Sequence, residues 1–316
     1  MRPVSEIETM RQYSKCMTVS LILACASVLC AQNGNTSDAP AVQPPAATPP
    51  GTTAPIPHAK PHLPIKAKTH EEYVAYQTAI ANKQDAEAMA KAAEEFAAKF
   101  PDSDCRVLLY RATMKSYRTG QDPLKMMEAA LKVLELDNDD PEALLSVAEV
   151  QEEHTTAMDL DRDQRMAQAL ANAQHALTTI DSDLIVPVGT PADRVEVYKK
   201  YLKASALGII GTVQYKQEKY PEAEASLRQA IEADPGNVDS VIVLRLALAL
   251  DQEKKYEDAL TQANRAVELS KDGTEVARVA KTERDRLTAL VAQGSAASGS
   301  DVAPPSDDSS QGHPGN

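Results

Sequence analysis

The sequence predicts an all-α fold, a solenoid of about five helix-turn-helix units closed by a C-terminal helix. Two observations carry this. The stretch "YKQEKYPEAEASLRQAIEADPG" at 215–236 is followed by "LDQEKKYEDALTQANRAVELSKDG" at 250–273, and Tyr220, Ala223, Leu227 and Ala230 fall on Tyr256, Ala259, Ala263 and Ala266 under a single shift of 36 residues. A fixed period of that length is the signature of stacked supersecondary units, none of which buries its apolar face alone. Hydrophobic residues make up 43% of the chain but aromatics only 4%, with no Trp, so the core is built from small side chains that let helices approach closely.

The chain reads in four parts. Residues 1–31 read as an export signal: Arg11 and Lys15 precede an apolar run in "SKCMTVSLILACASVLCAQ" (14–32), which ends on the small Ala31, and Met10 is an alternative start. The run from Cys16 to Ala31 is shorter than the ~20 residues that span a bilayer, so a cleaved signal is expected ahead of an uncleaved anchor. Lipidation at Cys25 is the alternative, with Leu23 standing where a small residue is wanted. Residues 32–68 are expected to be a disordered Pro-rich linker, extended because Pro fixes φ and removes backbone donors. Residues 69–293 are expected to form the solenoid, and 294–316 a disordered tail. Three of the four cysteines lie in the signal, leaving Cys105 as a small buried side chain without a disulfide partner.

Within the solenoid the units run at about 70–103, 107–140, 141–181, 204–237 and 240–273, with a cap helix at 274–293. Tyr73 and Tyr76 begin the packing stripe of the first unit, Tyr110 and Tyr117 that of the second, and Ala169 and Ala173 lie in the second helix of the third. Leu207, Gly211, Ala223, Leu227 and Ala230 set the fourth; Leu246, Ala247, Ala259 and Ala266 set the fifth. Small residues such as Gly211 and Ala223 mark the points where two helix axes come nearest. Asp140 before Pro141, Thr190 before Pro191, and Thr274 after Gly273 supply N-caps. The segment 182–203 does not fit the pattern; it lengthens one connection and extends the next first helix back to Pro191, so that this helix is expected to protrude.

This order of large, small and aromatic positions resembles the tetratricopeptide repeat of bacterial envelope and secreted proteins, with Gln214 departing where Tyr is usual. The resemblance implies a right-handed superhelical solenoid that serves as a scaffold and binds a protein or peptide in a concave groove lined by the first helices. On that implication Arg111, Lys115 and Arg118 form a basic stripe and Glu142, Glu149 and Glu152 an acidic one, while Ile209, Tyr215, Val241, Leu244 and Leu248 supply apolar positions. The alternatives remain open at this point: the stripes pair with neighbouring helices, and the cap helix or the 184–188 insert covers the apolar positions.

Other chemistry finds little footing. The net charge of −13 disfavours nucleic acid and anionic lipid as partners of the whole chain, so membrane contact is expected only through an uncleaved or lipidated signal. Asp159, Asp161 and Asp163 alternate like the start of a calcium loop, but Gln164 and Leu170 stand where such a loop needs Gly and Glu. A calcium- or small-ligand-binding protein using that loop, and a lipid-anchored subunit of an outer-membrane or pilus assembly machine, are the competing readings. No paired-carboxylate, Ser-His-Asp, Gly-rich phosphate or CxxC pattern is present, so no enzyme activity and no cofactor are expected.

Overall fold

The computed structural model describes residues 65–299, with the side chains of 294–299 left aside; the signal, most of the linker and most of the tail lie outside the described residues. Among the described residues there are helices and no strands: α1 (His70–Ile80), α2 (Ala86–Lys99), α3 (Cys105–Thr119), α4 (Pro123–Leu136), α5 (Pro141–His154), α6 (Arg162–Thr179), α7 (Ala192–Lys216), α8 (Tyr220–Ala233), α9 (Ser240–Gln252), α10 (Tyr256–Leu269) and α11 (Glu275–Gly299). None of them is long and apolar enough to cross a membrane. The chain divides into two compact units at 202/203, within α7.

Side-chain caps set five of the helix starts. Thr69 Oγ1 accepts from Glu72 N (3.1 Å), Asp85 from Glu87 N and Ala88 N (3.0 Å each), Asp122 from Lys125 N (3.1 Å), Asp140 from Ala143 N (2.8 Å) and Asp239 from Val241 N (2.9 Å). Each of these acceptors satisfies a donor that a helix start leaves open. The turns inside three pairs share another device. Gln121, Glu218 and Lys254 adopt φ of 58°, 62° and 62°, and the next residue reaches back across each turn: Asp122 N to Tyr117 O (3.0 Å), Lys219 N to Gln214 O (2.9 Å) and Lys255 N to Leu250 O (2.9 Å). This is a Schellman motif whose left-handed position is not glycine.

In unit 1 each helix packs on its successor from α1 to α6, and α1 also meets α3. Met89 and Met126 are fully buried near the starts of α2 and α4, among Phe96, Leu109, Met114 and Val133; Met166, near the start of α6, is 1% exposed. In unit 2, Ala223 and Ala259 take the corresponding places in α8 and α10, within a core of Leu227, Leu246, Leu250 and Leu287. Gly211 explains why that approach is close. A Cβ there would lie 2.6 Å from Leu227 Cγ and 3.2 Å from Leu227 N. Tyr73 differs from the expected packing role, being 52% exposed; α1 opens the described row, so this flank has no preceding helix there to cover it.

Candidate functional site

The charged positions of the second and third units come together in unit 1, and they meet one another. Arg111 on α3 is 4% exposed and pairs with both Asp140 and Glu142. Lys115, one turn on, lies 3.2 Å from Glu142. Arg118 donates to Ser146 Oγ (2.9 Å) and to Glu149 Oε2 (3.1 Å). Helical spacing places the three cations on one face of α3, and the start and middle of α5 present the matching acceptors. Asp140 caps α5 and pairs with Arg111 using its two different oxygens.

A further segment closes over this ladder. The Ile185 carbonyl accepts from Arg111 Nη2 at 3.1 Å, and the Tyr198 hydroxyl donates to Glu142 Oε1. The first half of α7 therefore does not stand clear as expected, because Tyr198 ties it to α5. Burial alone would raise the Glu142 carboxyl, but Lys115, Arg111 and the Tyr198 hydroxyl outweigh it and hold it down to about 2. Burial and the adjacent Glu142 push the Tyr198 phenol well above the ordinary tyrosine range. At neutral pH this is a fixed arrangement of Glu142 as carboxylate and Tyr198 as donor. Asp140 and Tyr198 were missing from the sequence-derived site; Asp140 was visible only as a cap, and Tyr198 only as one of two tyrosines three residues apart in the insert.

The apolar positions lie in unit 2. Val241 is 4% exposed and Leu244 fully buried, with Ile209 buried beside the helix interior position Ile210. Tyr215 and Leu248 are half-buried, and the Tyr215 ring meets Tyr220 edge-on at 5.7 Å. Val241, Leu244 and Ile209, with so little exposed area, act as core side chains. Glu152 is likewise buried.

The acidic loop disperses its carboxylates. Asp159 Oδ2 accepts from Thr156 N (2.8 Å), Asp161 Oδ2 from Arg165 Nε (2.8 Å) and Asp163 Oδ1 from Arg162 Nη1 (3.0 Å). Among the described residues no group of three or more His, Cys, Asp or Glu side chains is gathered to hold a metal ion. Cys105 is 3% exposed, and burial pushes its thiol up, away from the reactive thiolate.

Residues 214–281 match the sequence pattern of the tetratricopeptide repeat. That segment carries the tetratricopeptide repeat pattern. The matched segment runs from the end of α7 through α8, α9 and α10 into α11, and the same succession of packed helices recurs in unit 1. No curated protein matches the chain. Among solved structures, the MamA protein is 17% identical, covering 63% of this chain and 92% of its own, with a TM-score of 0.45. A thermophilic tetratricopeptide-repeat protein of Thermus thermophilus is 16% identical, covering 70% and 99%, with a TM-score of 0.39. Likenesses at this level say nothing about what the chain binds.

Proposed function

We propose that this protein is a non-catalytic scaffold that captures a segment of a partner protein on the face formed by the first helices of its pairs. The observation that supports it best is the tetratricopeptide match, with helices packed in series within each unit, since such a row presents a preformed surface that loses little freedom on binding. In unit 1 that face has α1, α3 and α5. Val74 on α1 is 48% exposed and the Lys115 side chain 43% exposed, so these positions meet a ligand before the buried ladder does. We read residues 14–32 as an export signal and the Pro-rich stretch after it as a spacer, so the scaffold works outside the cytoplasm.

Affinity capture with the full chain tests this through two substitutions at equally exposed positions. Val74→Glu, on a first helix, is expected to weaken capture of the partner about tenfold or more. Leu131→Glu, on the second helix α4 and 45% exposed, is expected to leave it unchanged. Loss with Leu131→Glu and retention with Val74→Glu would place recognition on the opposite face and overturn the reading.

A further inference from the structure

We propose that residues 184–201 are a displaceable internal ligand of the α3–α5 face of unit 1, and that the partner segment replacing them is neutral there, presenting a phenolic hydroxyl and an unpaired main-chain carbonyl. This rests on the scaffold reading above and names its ligand chemistry and its control.

The segment is additional to the repeat. Other pairs are joined through 100–104, 137–140, 234–239 and 270–274, whereas α6 and α7 are joined through 180–191. The first helices α1, α3, α5 and α9 have 11, 15, 14 and 13 residues, against 25 for α7. The excess is the part that folds back onto α3 and α5.

Its contacts are those of a ligand. On the face beneath it the cations Arg111, Lys115 and Arg118 are matched by Asp140, Glu142 and Glu149. A charged group brought to this face would leave one of those ions in excess, at a cost that rises steeply away from water. Among its contacts with this face are one donor, the Tyr198 hydroxyl to Glu142, and one acceptor, the Ile185 carbonyl to Arg111. Any segment that displaces it must supply the same two neutral groups or leave Glu142 and Arg111 short of a partner.

It is also lightly held. Asp183 just before one end and Leu202 just beyond the other are buried, at 1% and 5% exposure, but between 184 and 201 no side chain is fully buried. Pro187, Val188, Gly189, Ala192, Asp193 and Val197 face outward. On the inner side Tyr198 and Tyr201 stack at 6.1 Å between ring centres. A stretch with few buried apolar contacts opens at a smaller free-energy cost than the core on which it lies.

The test uses the full chain, wild type and Tyr198→Phe, with a labelled synthetic peptide spanning 181–204. Phe keeps the ring and removes only the hydroxyl, so folding is retained. Amides in 184–201 of the wild type are expected to exchange faster than those of α3 and α5. In Tyr198→Phe they are expected to exchange about tenfold faster again, with α3 and α5 unchanged. The peptide is expected to bind Tyr198→Phe at least about tenfold more tightly than wild type, and a peptide with Phe at the position of Tyr198 is expected to lose that binding. Equal protection of 184–201 and α3, unmoved by the substitution, overturns the proposal. So does absence of peptide binding to both chains, whatever the exchange shows. Because the probe is the chain's own sequence, this failure is distinct from a failure to find or map an external partner.

Discussion

Arg111 is desolvated and paired at once, and the two conditions depend on each other. Its guanidinium is affordable inside unit 1 only because Asp140 and Glu142 both meet it. Arg111→Met leaves two buried carboxylates without their shared cation, and unfolding of unit 1 in urea is expected to become easier by about 3–5 kcal/mol. Lys115→Met, at a half-exposed side chain, is expected to cost at most about 1 kcal/mol. Glu142 adds a pH dependence of known sign. Its carboxyl is lowered from an ordinary 4.5 to about 2, so the stability it contributes is complete above the ordinary value and is lost as pH falls through the folded one. The urea midpoint of the wild type is therefore expected to fall between pH 4.5 and 2, and the Glu142→Gln variant to show a flatter profile over that range.

At the scale of helices and turns, two features of the backbone decide how the pairs close. Gln121, Glu218 and Lys254 occupy left-handed conformations that favour glycine. Replacing any one with Gly removes strain of roughly 1–2 kcal/mol and adds roughly 0.5–1 kcal/mol of chain entropy, so thermal unfolding is expected to move up by a small margin. Gly211 works in the opposite sense. Gly211→Ala drives a methyl into Leu227, side chain and backbone alike, and unit 2 is expected to lose about 1–3 kcal/mol in denaturant unfolding. The pairs themselves were legible in the sequence because their signals are local: a period of 36, an Asp before Pro at 140–141, and small residues where α7 and α8 come together. The Schellman turns were less so, since Gln, Glu and Lys stand where glycine would have announced a left-handed residue.

Across the molecule, the information that sequence spacing could not carry is which stripe faces which. Periodicity shows that Arg111, Lys115 and Arg118 share a face of α3, and that α5 has an acidic one. It does not show that the two faces meet, because contact between helices depends on the rotation of each about its own axis. The same holds for Tyr198, whose partner Glu142 lies two helices earlier in the chain. The insert was recognisable from its length, yet its contacts with α3 and α5 include a tyrosine hydroxyl and a main-chain carbonyl, which no periodicity announces. On the proposed reading, the internally matched charges of unit 1 leave recognition there to exposed first-helix positions and to neutral groups. Photo-crosslinking tests this most directly, with a photoreactive residue placed at Val74 or Lys115 and, separately, at Leu131 or Leu269 of the full chain in its native extract. One polypeptide crosslinked from both first-helix positions and from neither second-helix position is the predicted result; the same polypeptide crosslinked from Leu131 or Leu269 alone would contradict it.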